Sequence, residues 1–274
     1  MVEIKFYGEA GFEMTTEKGL KIVIDPWITE NPLCPIRVED VKAADIVLVS
    51  HTAFDHLGIT PTPARFENWE GTTRGPRKPG PQKVTYDAFE IVKKTGALLV
   101  GPEDVCALAG VNGIPAEKCK RAFWGSTITL KGIQIQGVKA IHTTSLQQNF
   151  VQGFNITLED GTRIYHSGDT HPFLDLKYDV GELFHPNIMM FEVGPVSAAF
   201  GRSYNAFEIA DVVRWIGPDV FIPIHDDYRF FAPKVAEFIE VAAPYVKVVT
   251  MNPGDVIQYK PFQLELKTKT GKKN

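Results

Sequence analysis

Four apolar, β-branched-rich runs in this chain each end at or beside a histidine or an aspartate. Ile46-Val47-Leu48-Val49 leads into Ser50-His51-Thr52-Ala53-Phe54-Asp55-His56-Leu57-Gly58. Residues 133–141 lead into His142, residues 162–166 stop just before Asp169, and Val220 to Ile224 lead into His225. Short, bounded apolar runs read as buried strands. In open α/β sheets, crevices form beyond the carboxyl ends of such strands. Each of these groups, taken alone, is an ordinary hydrogen-bonded histidine or a turn aspartate. Together they place neutral nitrogen and anionic oxygen donors at one sheet edge, which is what a divalent metal requires. Within the first cluster His51 and Asp55 are four apart. A helical turn puts them on one face and points His56 elsewhere, an arrangement that suits two adjacent metals. His166, inside a strand, and His185, before Pro186, read as structural.

The remaining pattern alternates strands and helices. Residues 2–7 and 11–15 read as a hairpin turning at Gly8 and Gly11, and residues 20–24 as a strand stopped by Asp25-Pro26. Val38 to Ala44, Tyr86 to Thr95, Glu103 to Ala109 (stopped at Gly110), Asn205 to Ile216 and Lys234 to Ala242 read as helices. Residues 98–100, 127–130, 151–158, 188–193, 246–250 and 254–259 read as further strands. Residues 60–83 carry five prolines and three glycines and hold no period. They read as a long insertion, of the kind that serves as a lid or a subunit contact.

Composition narrows the function. With 274 residues the chain is long enough for one large domain, and that is the expected organisation over 1–274. A net charge of −4 gives no basic surface for nucleic acid or anionic membrane. The lysines between Lys267 and Lys273 read as a solvated tail. Three cysteines without a CxxC make neither a disulfide framework nor a thiolate zinc site, so a cytoplasmic home is expected. No apolar stretch approaches the ~18 residues of a membrane span.

The ordered motifs resemble the metallo-β-lactamase superfamily. More narrowly they resemble its branch of small metal-dependent hydrolases that includes ascorbate-phosphate lactonase. The resemblance covers nearly the whole chain. It rests on Tyr7-Gly8 with Gly11-Phe12, Ile24-Asp25-Pro26-Trp27 with Asn31-Pro32, His51…Asp55-His56-Leu57-Gly58, Ala140-Ile141-His142, Tyr165-His166-Ser167-Gly168-Asp169-Thr170, Ile222-Pro223-Ile224-His225 and Pro253-Gly254-Asp255. It implies an α/β fold: an αββα sandwich of two mixed β-sheets flanked by helices, with metal at one edge. Carried over by motif, His51 and His142 serve one metal. Asp55, His56 and His225 serve the other, Asp169 bridges both, and Asp25 orients a ligand from behind. One or two divalent ions (Zn, Mn or Fe) are implied. So is hydrolysis of a small-molecule substrate, with lactonase-like chemistry ahead of a small phosphodiester and with Asp55 or Asp169 orienting the water and taking up its proton. A homo-oligomer is the expected assembly.

The chain departs from the pattern where it matters. The family motif is His-x-His-x-Asp-His, and Ala53 stands at its middle histidine. Glu9 replaces a histidine frequent in relatives, and Pro195 another. Three outcomes follow. The protein holds one metal on Asp55, His56, Asp169 and His225. Or it holds two, with His171, Glu9 or Glu192 making good the gap. Or it is a non-catalytic metal-binding or structural oligomer.

Overall fold

The computed structural model describes residues 1–61, 83–142, 150–193, 206–225 and 236–261. Most of the 60–83 insertion, the Gly194-Pro195 step and the lysine tail lie outside the described residues.

Two seven-stranded sheets dominate the described fold. The first holds β1 (Val2–Gly8), β2 (Gly11–Thr15), β3 (Lys21–Ile24), β4 (Ile46–Leu48), β7 (Leu98–Gly101), β8 (Cys119–Arg121) and β16 (Val256–Tyr259), in the order β16-β1-β2-β3-β4-β7-β8. The second holds β9 (Thr127–Leu130), β10 (Ile133–Lys139), β11 (Gln152–Thr157), β12 (Arg163–His166), β13 (Ile188–Glu192), β14 (Val220–Ile224) and β15 (Lys247–Val248), in the order β15-β14-β13-β12-β11-β10-β9. A short pair, β5 (Ile59–Thr60) and β6 (Thr85–Tyr86), flanks the insertion. Both large sheets are mixed. Strands β3, β4, β7 and β8 run parallel in the first, and β12 to β15 in the second.

Strand parity explains the layering. Successive side chains point to opposite faces. Ile22, Ile24, Ile46 and Leu48 therefore join Ile135, Phe154, Ile164, Met190 and Ile222 in one core between the sheets. The alternate residues Val23, Val47 and Val49 pack outward under α2 (Asp87–Thr95) and α3 (Glu103–Val111). On the second sheet Tyr165, Met189, Phe191 and Phe221 pack outward under α4 (Ala206–Ile216) and the helix at 236–242. Strands buried on both faces read as unbroken apolar runs, which is why they stand out in the sequence. The result is the expected αββα sandwich.

Three local readings are corrected. Val38 to Ala44 is not a helix: a single 3-10 turn, Val38–Asp40, forms there and the chain is extended again at Val41. The α3 helix passes through Gly110 and is capped at Asn112, whose N–H reaches the Leu108 carbonyl. The glycine that ends it is Gly113, at φ +84°, the left-handed position that favours glycine. Strand β10 stops at Lys139, short of His142, because Ile141 is taken by the loop after β12. Its N–H donates to Thr170 Oγ1 (2.9 Å) and its carbonyl accepts the His171 N–H (2.7 Å). Strand β8 and the π-helical turn Lys177–Glu182 carry no period that the sequence reading detected.

Asp87, the first residue of α2, ties the loop after β3 to the rest. Its Oδ2 accepts the Ile28 N–H (2.8 Å) and the Thr29 N–H (2.6 Å), and its own N–H donates to the Gly58 carbonyl (2.9 Å). A Cβ on Gly58 would fall 2.5 Å from the Asp87 Cβ, so the glycine is required there. Burial pushes the Asp87 carboxyl from 3.8 up to about 6, with the hydrogen bonds from Thr29 and Ile28 only partly offsetting it. A carboxyl raised in the folded state favours folding below its unfolded pKa. That contribution is lost as pH rises through the folded one. The full loss is about 3 kcal/mol, of which about 2 kcal/mol falls between pH 4 and 6. Urea unfolding of metal-free wild type and Asp87→Asn is expected to show this slope in the wild type alone. Parallel curves would refute it.

Candidate metal centre

The four strand ends converge. β4 runs on through buried Val49 and Ser50 to His51. The chain then turns into α1 (Phe54–Leu57), a four-residue helix with Ala53 at its N-cap and Gly58 at φ +71° closing it. His51 thus stands before the helix, and Asp55 and His56 stand in it. The expectation that one helical face joins His51 to Asp55 is corrected: the helix starts too late to include His51. Donor atoms instead cluster as His51, His142 and Asp169 in one group and Asp55, His56 and His225 in the other, those of each group within 4.8 Å of one another.

Asp169 stands between the two groups. Its Oδ1 lies 2.9 Å from His56 Nε2 and 3.1 Å from His225 Nε2, and its Oδ2 3.5 Å from His142 Nε2 and 3.7 Å from His51 Nε2. One carboxylate therefore offers a separate oxygen to each pair of imidazoles. The Nε2 atoms of His56 and His225 are 3.0 Å apart. His51 Nε2 is buried without a hydrogen-bond partner. Converging ring nitrogens, an orphaned one among them, around a shared carboxylate fit a divalent cation. They do not fit a hydrophobic core, where a buried polar atom is normally paired.

Carboxylates and a hydroxyl behind the histidines set their orientation. Asp25 is fully buried at the end of β3, at φ +43°. Its Oδ1 accepts the Ser50 N–H (2.7 Å), and its Oδ2 accepts the Ser50 hydroxyl (2.7 Å) and lies 2.8 Å from His56 Nδ1. Ser50 Oγ in turn sits 3.0 Å from His51 Nδ1. Asp25 thus holds His56 directly and His51 through Ser50, with both Nε2 atoms turned to Asp169. On the far side Glu9 Oε2 lies 3.4 Å from His225 Nδ1. Asp25, the residue read as orienting a ligand, has its carboxylate against His56 Nδ1 and Ser50, and Ser50 itself goes unread in the sequence. Its position between a strand and the first histidine was the available signal.

The other residues singled out lie around this edge. Glu192 ends β13, buried, with Oε2 accepting the Thr170 N–H (2.8 Å). His171 is buried and its backbone is pinned to Ile141. Neither joins the clustered donor groups, nor does Glu9. His166, read as structural, has Nε2 3.0 Å from the Ala10 carbonyl and accepts the Gly168 N–H at Nδ1 (3.2 Å), and so clamps the two sheets together.

The charges follow from this packing. Burial and the neighbouring His56 hold His51 well below its usual range, so it is neutral. Burial opposes the charged forms of His56 and His225. The Asp169 carboxylate overrides it in both, aided by Asp25 for His56 and by Glu9 for His225, which is held up at about 10. Burial works against the Asp169 carboxylate, but the surrounding imidazoles keep it well below the carboxylate range. Burial and the nearby Asp169 charge push Glu192 well above its own. Without metal the edge therefore stores protons on His56 and His225. The first zinc ion added to weakly buffered metal-free protein at pH 7 is expected to release about one to two protons, and apparent affinity to rise with pH. Uptake without acidification would contradict this.

A fold of two stacked sheets with histidines and aspartates gathered where strands from both sheets end defines a metallohydrolase-like αββα protein. The beta-lactamase superfamily domain model matches residues 3–225. A UPF0173 metal-dependent hydrolase of Pyrobaculum islandicum is 32% identical over 266 residues, covering 94% of this chain and 100% of that one. Its counterpart in Methanobrevibacter smithii is 30% identical over 276 residues, covering 95% and 98%. Among solved structures, Igni18, described as a novel metallo hydrolase from Ignicoccus hospitalis, superposes with a TM-score of 0.71 at 25% identity, covering 94% of this chain and 99% of that one. The chain belongs to the beta-lactamase superfamily, among the UPF0173 metal-dependent hydrolases.

Proposed function

We propose that this metal-dependent hydrolase cleaves the ring ester C–O bond of a small lactone-like molecule, adding water to give a carboxylate and an alcohol, with Asp169 as the bridging group of its site. The observation that supports hydrolysis is the carboxylate of Asp169, one oxygen toward His56 and His225 and the other toward His51 and His142. The preference for a carbonyl substrate rests on the likeness of the motifs to ascorbate-phosphate lactonase. Asp55, His56, His225 and Asp169 Oδ1 would hold one divalent ion, and His51, His142 and Asp169 Oδ2 a second. When bound, zinc, manganese or iron would lower the pKa of water towards ~7 and polarise the substrate carbonyl oxygen. Asp55 is half-buried and so reaches both the donor cluster and solvent. It is the residue best placed to orient the attacking water and pass its proton outward. Asp25 and Ser50 hold the imidazoles in the tautomer that leaves Nε2 free to bind.

The two positions are unequal. Ala53 adds no donor, so the His51/His142 position has three donors against four at the other. Titration with zinc is expected to show two steps, the second about tenfold or more weaker. Anomalous scattering at partial loading is expected to peak first between His56 and His225. A single stronger site beside His51 and His142 would reverse this order. The function itself is tested by metal analysis with a screen of lactones and phosphodiesters. Lactone turnover that depends on metal supports the reading, turnover of phosphodiesters alone redirects it, and a folded protein that takes up no metal overturns it.

We also propose a cytoplasmic home, which the three unpaired cysteines support. No described helix is long and apolar enough to cross a membrane. An acidic balance favours a small-molecule substrate over nucleic acid or a membrane surface. Phe123, Trp124 and Phe150 are each more than half exposed, which supports a homo-oligomer through this face. Light scattering of the purified protein tests that assembly.

A further inference from the structure

We propose that Glu9 is a positioning residue for His225, fixing that imidazole from behind as Asp25 fixes His56. The inference rests on the reading of His225 as a metal ligand. Glu9 sits in the turn between β1 and β2, just after the pairing register shifts between Phe6 and Gly8. It is buried, with φ +54°. His225, the residue after β14, has φ +54° as well. Side chains other than glycine rarely adopt this left-handed region, and each instance costs on the order of 1 kcal/mol. Such outliers persist where the surroundings hold them, and they gather at working sites.

Here the two outliers hold each other. The His225 N–H donates to the Glu9 carbonyl (3.1 Å), and Glu9 Oε2 stands 3.4 Å from His225 Nδ1. A turn of the first sheet therefore grips a residue of the second at both backbone and side chain. With a carboxylate at Nδ1, the ring keeps its proton there and presents Nε2 to Asp169, 3.1 Å away. His225 directly follows β14, a strand of the second sheet, and Glu9 grips it from a turn of the first.

The test uses the full-length protein and zinc. Glu9→Gln keeps the length and backbone while removing the charge. Glu9→Gly removes the side chain and also relaxes the left-handed backbone, so a loss seen in both is not a folding artefact. Each is expected to weaken zinc binding at the tighter position about 10- to 100-fold in a competition assay with a chromogenic chelator. In a His225→Ala background the same changes are expected to cost less than about twofold. In zinc-loaded wild type, the His225 Nδ1–H proton is expected as a downfield NMR resonance that moves upfield in Glu9→Gln. Unchanged affinity and an unmoved resonance in Glu9→Gln overturn the proposal. An equal loss with and without His225 also overturns it, because it would make Glu9 a general structural residue. If His225→Ala itself bound zinc as tightly as wild type, the ligand assignment would fail instead, and the two failures are told apart by that single measurement.

Discussion

An Asp169→Asn protein is expected to lose turnover by at least ~10³-fold and to purify without stoichiometric metal at either position. Outer contacts to a metal ligand are worth about 10- to 100-fold each, and Asp169 touches both clusters directly. Its two oxygens face the Nε2 atoms of both imidazole pairs. Asparagine keeps the size and one oxygen, so the change isolates the charge and the second acceptor. The metal-free protein should change as well. His225 titrates at about 10 in the folded chain because Asp169 outweighs the burial of the ring. A histidine raised in the folded state adds stability below its unfolded pKa, and that stability fades as pH climbs towards the folded value. Wild type in chelator is therefore expected to lose stability between pH 7 and 9. Asp169→Asn is expected to be weaker at pH 7, by on the order of 3 kcal/mol, and flatter across the window. Urea unfolding at the two pH values measures both. An asparagine variant that retained metal and activity would remove Asp169 from the centre of the site.

The parts of the molecule legible in the sequence are those whose burial leaves a pattern. β4, β13 and β14 are covered on both faces, so Ile46-Val47-Leu48, Ile188 to Glu192 and Val220 to Ile224 announce themselves as apolar runs. Their ends then locate the histidines and Asp169 without further information. What a pattern cannot show is contact across the fold. Ser50 is an unremarkable residue until Asp25 is seen on one side of it and His51 on the other. Glu9 reads as a missing histidine until its carboxylate is found behind His225. The error over His51 and Asp55 has the same origin. Spacing by four assumes a helix, and this helix begins at Phe54. The 3-10 turn at Val38 likewise betrays the limit of amphipathic spacing. Val41 and Ala44 are buried against the outer face of the first sheet, but from an extended chain.

Asp25→Asn is expected to be the second most damaging change, although Asp25 is a member of neither donor cluster. Its carboxylate faces only donors: the Ser50 N–H on one oxygen, and on the other the Ser50 hydroxyl and the Nδ1 side of His56. An asparagine supplies one acceptor and turns an NH2 towards groups that also donate. In a fully buried position the unmatched donors cannot recruit water. The cost is about 2–4 kcal/mol, a fall in Tm of roughly 4–16 °C for a domain of this size. Asparagine tolerates the left-handed backbone at this position, so the loss is attributable to the hydrogen bonds. The same change frees the rings of His56 and, through Ser50, His51, one in each cluster. Metal affinity is accordingly expected to fall at both positions by about 10- to 100-fold, whereas Glu9→Gln should weaken only the His225 position. Thermal unfolding with a two-step zinc titration on both variants decides it. If Asp25→Asn disturbed one step alone, the shared hold on His51 and His56 through Ser50 would be wrong.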